Sequence, residues 1–321
     1  MLGIVAIGRN EGERLVRCLE SVNGLGYPLV YVDSGSSDDS VKQALSFGCE
    51  VVDLDMSIPF TAARARNSGF DCLIDNHPAL EFVFFVDGDC EVVAAWLGEA
   101  VKYLVANPNV AAVCGRRQEK FPERSVFNLM CDSDWDLAPG PVKLFGGDVV
   151  IRVDAFKKVA GFREDLIAGE EPELAVRIRS CGWQLYRLPS VMTIHDANMI
   201  KFSQWWKRAK RGGYAYTEGA FIHGAPPERH FFRQSRRITI WGGVIPLAIL
   251  IAGMLEPILF LLLLIYPLQV FRIARKGRKS PKENLVIAFF LVVGRFAEMQ
   301  GQFSFWLDSL MKKKRTLIEY K

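Results

Sequence analysis

The segment from Ile238 to Phe271 is predominantly apolar, with Glu256 its one charged residue, and its length restricts what the chain can become. About 20 apolar residues cross a bilayer, so this segment is too long for one straight span. Glu256-Pro257 stands near its middle, and Pro246 lies nearer its start. Arg236-Arg237 precede it, and Arg272, Arg275, Lys276, Arg278, Lys279 and Lys282 follow it. Basic flanks are retained on the cytoplasmic side. A helical hairpin over 238–271, bent at Glu256-Pro257, accommodates both basic ends; one long tilted helix is the alternative. Farther on, Arg295, Glu298, Gln300, Gln302 and Asp308 interrupt the apolar pattern of 284–311. Those residues suit an amphipathic helix at the membrane interface, with Lys312 to Arg315 among the lipid head groups.

The rest of the chain reads differently. Half of the 321 residues are apolar and the net charge is only +4, but the basic excess lies in the second half. It includes Lys207, Arg208, Lys210, Arg211 and the run from Arg233 to Arg237. Beside apolar spans, such patches fit an anionic lipid surface better than nucleic acid. The seven cysteines all precede Gly182 and include no C-x-x-C pair. A disulfide framework or zinc site is therefore not expected, and a reducing cytosol is. Met1 leads straight into a strand-like run, with no signal-peptide pattern. These features divide the chain into a globular part (1–215), a basic and aromatic membrane-proximal linker (216–237) and a membrane-associated part (238–321).

In the globular part strand and helix signals alternate. Strand-like runs are Gly3–Ile7, Leu29–Val32, Glu50–Leu54, Phe82–Val86 and Val110–Cys114. Helical stretches fall at Glu13–Val22, Ser40–Phe47, Thr61–Ile74 and Ala94–Ala106. This alternation predicts an α/β fold, a mostly parallel sheet flanked by helices. No G-x-G-x-x-G follows the first strand, which argues against a dinucleotide site.

The run Phe82-Val83-Phe84-Phe85-Val86 ends in Asp87-Gly88-Asp89. Two carboxylates this close repel unless a cation lies between them. At the carboxyl end of a parallel strand, where open α/β sheets place ligands, a hard divalent ion shared with substrate phosphates fits. Gly88 would let a phosphate approach the backbone. His195, at the end of the strand-like run Ser190 to Ile194, is a candidate third ligand. Polar loops follow the first two strands: Gly8-Arg9-Asn10-Glu11-Gly12 and Asp33-Ser34-Gly35-Ser36-Ser37-Asp38. Either nucleotide contacts or simple turns account for them. Arg64 and Arg66 stand two apart on a helix, so one can face a diphosphate while the other faces solvent; a surface helix with two exposed arginines is the alternative. Glu170-Glu171-Pro172 precedes a helix, where an acid near the positive end could take a proton from an acceptor hydroxyl.

These motifs, followed by Gly146-Gly147-Asp148, resemble family 2 glycosyltransferases of the GT-A fold in order and approximate spacing, over about residues 3–200. The resemblance implies Asn10 and Asp33 at the nucleotide, with Asp33 at the base, and Arg66 near the diphosphate. It implies Asp87 by the ribose or metal, Asp89 on the metal, and Glu171 or Glu170 as catalytic base. Asp148 stands where Asn is commoner and would contact the acceptor. The Gln-x-x-Arg-Trp motif of processive members has only a loose echo in Gln204-Trp205-Trp206-Lys207-Arg208. The expected activity is transfer of one sugar from a nucleoside-diphosphate sugar to a hydroxyl, inverting and dependent on Mg²⁺ or Mn²⁺. The acceptor would be lipid-linked or membrane-proximal, in surface glycan or glycolipid synthesis, and the catalytic domain would face the cytoplasm. A nucleotidyltransferase and a non-catalytic nucleotide-sugar binder remain the alternatives.

Overall fold

The computed structural model describes residues 1–311; the basic run at 312–315 lies outside them. The chain forms two compact units. One comprises Met1–Glu123 with Cys131–Asn198, and the other Arg124–Met130 with the described residues from Met199 to Met311.

The first unit is built on a mixed sheet. Its strands are β1 (Leu2–Gly8), β2 (Leu29–Asp33), β3 (Glu50–Asp53), β4 (Phe82–Asp87), β5 (Cys90–Val92), β6 (Val110–Glu119), β7 (Gly140–Val142), β8 (Val149–Arg152) and β9 (Gln184–His195). Among the described residues they run in the order β3-β2-β1-β4-β8-β6-β9-β5, with β7 also paired to β9. Pairings among β3, β2, β1 and β4 are parallel, as the β-α alternation predicts. Strand β8 is antiparallel to both β4 and β6. Its four residues, Val149-Val150-Ile151-Arg152, are β-prone, but the run is short and the sequence reading leaves it unassigned. Flanking helices are α1 (Glu13–Val22), α2 (Ser40–Ser46), α3 (Ala62–Asn76) and α4 (Ala94–Ala106), then, after α5 (Val126–Trp135), whose residues are divided between the two units, α6 (Val153–Lys158) and α7 (Glu170–Ser180).

Parallel strands covered on both faces read as continuous apolar runs, and Phe82–Val86 are all buried. Helix α3 lies close to this sheet. A Cβ on Gly69 would fall 2.4 Å from Val5 and 2.7 Å from Val32. Parallel register then aligns the strand ends, with Gly8 opposite Asp33 and Ile7 opposite Asp87. The loops after β1, β2 and β4 therefore share one edge of the sheet.

The second unit is helical. It contains α8 (Phe202–His223), α9 (Phe232–Ile238), α10 (Ile245–Leu255), α11 (Ile265–Ala274) and α12 (Pro281–Met311). A π-helical stretch, Thr239–Val244, joins α9 to α10, and a 3₁₀ stretch, Pro257–Leu264, leads into α11. The chain leaves the helical conformation at Glu256, in extended geometry immediately before Pro257, as proline requires of the residue before it. Among the described residues, three helical segments are long and apolar enough to cross a membrane, by length and composition: Phe232–Leu255, Pro257–Ala274 and Pro281–Met311. Leu247, Leu250, Met254, Leu255 and Leu261 to Leu264 are exposed, far more apolar surface than a soluble protein presents.

The Gln204-Trp205 pair has local structural work. Gln204 Oε1 accepts from Lys201 N–H at 2.9 Å and caps α8, while Trp205 stacks on Phe127 (5.6 Å) and meets Phe290 edge-on. Helices α8 and α12 approach at two glycines. A Cβ on Gly213 would lie 2.0 Å from the Glu298 carbonyl oxygen, and one on Gly301 would lie 1.9 Å from that of Lys210. No side-chain rotation relieves a clash with backbone. Gly301→Ala should therefore lower stability by about 1–3 kcal/mol through overpacking. Gly98→Ala, inside α4 with nothing within 4 Å, should be neutral or stabilising by up to about 1 kcal/mol. Thermal unfolding of the two variants in one detergent checks the contrast.

Candidate active site

At the carboxyl end of β4 the structure assembles an ion-pair cluster around Arg66 of α3. Its guanidinium is 2.8 Å from Asp87 Oδ1, 2.8 Å from Glu170 Oε1 and 3.2 Å from Glu171 Oε1. Burial alone would lower the pKa of this arginine, but Glu171, Asp87 and Glu170 override it and hold the group charged. The Phe162 ring lies 5.5 Å from the guanidinium carbon. Gly147 passes close by, and a Cβ there would fall 2.6 Å from Arg66 and 2.8 Å from Asp87.

Helix α7 supplies the two glutamates from its first turn. Gly169, at φ 82°, makes the left-handed turn that starts the helix, a conformation that favours glycine. Glu170 and Glu171 are the first two helical residues rather than preceding the helix. They differ in environment. Glu170 is 3% exposed and tied to Arg66, whereas Glu171 keeps a partly open side chain. Burial first, then the Glu170 charge, push the Glu171 pKa up to about 7; Arg66 opposes them and Asp87 adds to them.

A second arginine, Arg117, comes from β6. Register shifts between Cys114, Arg116 and Arg117 interrupt the β6–β9 pairing, and such bulges re-aim side chains. Arg117 lies 2.6 Å from Asp148 Oδ1 and 3.0 Å from Asp87 Oδ2. Thr193 Oγ1 donates to Asp148 Oδ2 at 2.6 Å, and the Asp87 backbone N–H donates to Asp148 Oδ1 at 3.2 Å.

Beyond Gly88 the chain turns, and Asp89 is buried beside His195 at the end of β9. Asp89 Oδ2 is 3.2 Å from His195 Nε2, and Glu119 Oε2 is 3.7 Å from His195 Nδ1. Trp135 meets the imidazole edge-on at 4.8 Å, and Arg117 lies over the same indole at 5.5 Å. Burial lowers the His195 pKa, against the influence of Glu119, so the ring is neutral at physiological pH. Donor atoms of Asp89, Cys90 and His195 lie within 4.8 Å of one another. Burial holds the Cys90 thiol well above its usual pKa, so it stays protonated. Hard divalent ions favour oxygen and accept imidazole. Asp89 and His195 therefore fit Mn²⁺ or Mg²⁺, while Cys90 adds no anionic ligand.

Asp87 does not join the group of converging metal-binding side chains; two guanidiniums already engage its carboxylate. Asp148 is fully buried, so in this conformation it braces Arg117 and presents nothing to an acceptor. Arg66 is an internal counter-ion with its guanidinium committed to carboxylates. Arg64 does not face solvent: it is buried and donates to the carbonyls of Asp55, Ile58 and Pro59. Gly88 is needed for packing on β1, since a Cβ there would lie 3.0 Å from the Ile7 carbonyl oxygen.

Asn10 and Asp33 form a neighbouring group. Asp33 Oδ2 accepts from the N–H groups of Gly35 (3.0 Å) and Ser36 (2.7 Å), and Oδ1 accepts from Tyr31 Oη (3.1 Å). Asn10 Oδ1 accepts from Ser37 N–H at 2.7 Å, and Asn10 N–H donates to Ser36 Oγ at 2.9 Å. The two loops thus lock together at the sheet edge. Sequence reasoning missed Arg117, Glu119 and Trp135. A charged pair at Arg116-Arg117 within a strand-like stretch was the available signal for the first.

Residues 4–138 match the sequence model of glycosyl transferase family 2. Over those residues the chain is similar to that family. A pre-mycofactocin glycosyltransferase of Mycobacterium tuberculosis is 28% identical over 225 residues, 64% of this chain and 45% of that protein. An inactive polypeptide N-acetylgalactosaminyltransferase-like protein 5 of Macaca fascicularis is 24% identical over 216 residues, 58% of this chain and 49% of that protein. The chain thus spans about half the length of these curated relatives. A mannosyltransferase from Pyrobaculum calidifontis, solved with GDP-Man and Mn²⁺, superposes with a TM-score of 0.67 at 18% identity. That superposition covers 96% of this chain and 87% of the other, and it shows the GT-A type fold to be shared.

Arg66 should be the keystone of this domain. Arg66→Met leaves Glu170 buried without its counter-ion, and breaking such a pair costs about 3–5 kcal/mol. Urea unfolding should show a loss of that size, and adding Glu170→Gln should recover part of it.

Proposed function

We propose that this chain is a membrane-attached, metal-dependent glycosyltransferase that moves one sugar from a nucleoside-diphosphate sugar to a hydroxyl group, with inversion. The observation that carries the reading is the juxtaposition of two chemically distinct carboxylate sites at one sheet edge. Asp89 sits with a neutral imidazole in a metal-binding geometry. Glu171, partly open, sits in a cluster that raises its pKa into the range of a general base.

In this reading Asn10, Asp33 and their interlocked loops shape the seat of the base and ribose, and Asp87 stands beside the ribose. Asp89 and His195 would hold the divalent ion, which would neutralise the leaving diphosphate, and Glu119 stands beside the His195 ring. Arg66 and Arg117 fix the Asp87 carboxylate. Glu171 takes the proton from the acceptor hydroxyl as its oxygen bonds to the anomeric carbon and the bond to the diphosphate breaks. One displacement at that carbon inverts it. Glu170, held by Arg66, raises the basicity of Glu171 without touching the acceptor.

The helical unit supports membrane attachment. Arg237 and the Arg272–Lys282 cluster mark the two ends of the apolar hairpin, and by the positive-inside rule both ends and the catalytic domain are cytoplasmic. Helix α12, with Arg295 in its interior, suits the interface. A lipid-linked or membrane-proximal acceptor follows from this placement, as in surface glycan or glycolipid synthesis.

Two measurements test the reading. With purified full-length protein and a panel of nucleoside-diphosphate sugars, one donor should be consumed only with Mn²⁺ or Mg²⁺ present. Asp89→Asn should abolish that consumption and the metal-dependent part of donor binding while leaving the thermal transition in place. Full turnover by this variant under chelator-controlled Mn²⁺ would remove Asp89 from the metal site. For the base, Glu171 is competent only when unprotonated. The wild-type kcat should therefore fall about tenfold per unit as pH drops below about 7 and level off above it. Glu171→Gln should cut kcat by roughly 10²-fold or more and flatten that limb, with donor affinity unchanged. Normal turnover in Glu171→Gln sinks the assignment.

A further inference from the structure

The helical unit holds a cavity of about 360 Å³ lined by Arg237, Trp241, Tyr266, Gln269, Arg272, Lys276 and Arg295, among others. This volume lies in the range of small-ligand sites. Its charge is one-sided. Arg295 is neutralised by Glu298 at 2.6 Å. Among the described residues, no carboxylate pairs with Arg237, Arg272 or Lys276, and three cations therefore converge on one concave surface without a counter-ion.

Position in the helical unit identifies the anion. Arg237 lies near the start of the first apolar segment, and Arg272 and Lys276 lie at and just past the end of the second. The turn between the segments is at Glu256, so these three residues mark the open end of the hairpin, opposite its apolar tip. Trp241 and Tyr266 stand one step inward, 6.1 Å apart between ring centroids, with Tyr266 Oη donating to the Trp241 carbonyl at 2.8 Å. Aromatic rings just inside basic residues are the signature of the head-group layer. Basic pockets between helices at that depth suit lipid phosphate.

We propose that this cavity binds the phosphate head group of an anionic membrane lipid, with Arg237, Arg272 and Lys276 on the phosphate oxygens, Gln269 as a further donor, and the Trp241 and Tyr266 rings against the start of the acyl chains. The proposal rests on the membrane reading of the hairpin. It assigns a specific lipid contact distinct from the catalytic residues.

The test uses full-length protein and phosphatidylglycerol as the probe. Lipid retained by the protein from phosphatidylcholine nanodiscs doped with phosphatidylglycerol is measured by native mass spectrometry. The wild type should retain phosphatidylglycerol preferentially. Arg272→Gln with Lys276→Gln should weaken that retention about tenfold, whereas Arg278→Gln with Lys282→Gln, an equal charge change outside the cavity, should alter it less than twofold. Millimolar inorganic phosphate should not displace the lipid. Equal losses in the two double variants would reduce the effect to diffuse surface charge, and displacement by inorganic phosphate would make the cavity a free-anion site. Either result, or no loss in the cavity variant, overturns the proposal. Flotation on pure phosphatidylcholine vesicles separates the two levels. A wild type that fails to float overturns the membrane reading and the lipid site together, while one that floats without preferring phosphatidylglycerol overturns the lipid site alone.

Discussion

One guanidinium, that of Arg66, holds together the carboxylates around which the candidate site is arranged. Three acids from two distant parts of the chain, Asp87 at the end of β4 and Glu170 and Glu171 at the start of α7, meet within 3.2 Å of it. Without a cation they would repel one another and would not stay ionised in a buried site. With it, α7 can begin at the strand end and present a glutamate there. The same pairing dictates composition nearby. Gly147 has no Cβ because one would strike Arg66 and Asp87, and Gly69 lets α3, which carries Arg66, lie close on the sheet.

This arrangement also gives the acids different surroundings. Asp87 has guanidiniums on both sides, Glu170 is closed off, and Asp148 is buried against Arg117 and Thr193. Asp89 and Glu171 are the ones whose surroundings suit chemistry, the first beside a neutral imidazole and the second with a raised pKa. Environments that push carboxyl groups apart in this way are how one site assigns different tasks to the same side chain.

The helical unit solves a different problem by the same means of close approach. Glycines at 213 and 301 bring α8 and α12 into backbone contact, as small residues do where helices must pack tightly. The hairpin keeps its apolar surface outward, and its charges gather at the open end. Burial thus drives the first unit to cover its sheet, while the second leaves apolar helix faces exposed.

Sequence alone determined the parts that depend on neighbours along the chain. The β-α alternation, the buried run Phe82–Val86 ending in Asp-Gly-Asp, the acids at the start of α7 and the break at Glu256-Pro257 all arise from local periodicity and local backbone chemistry, and they are legible without coordinates. Tertiary structure alone decided which of these groups meet. Whether Arg64 or Arg66 reaches the carboxylates depends on how α3 is rotated on the sheet. Arg117 reaches Asp87 through a bulge in β6, and β8 enters the sheet antiparallel, bringing Asp148 behind Asp87. Such contacts join residues separated by tens to a hundred positions. They are set by strand register and helix placement, for which no short stretch of sequence carries a pattern.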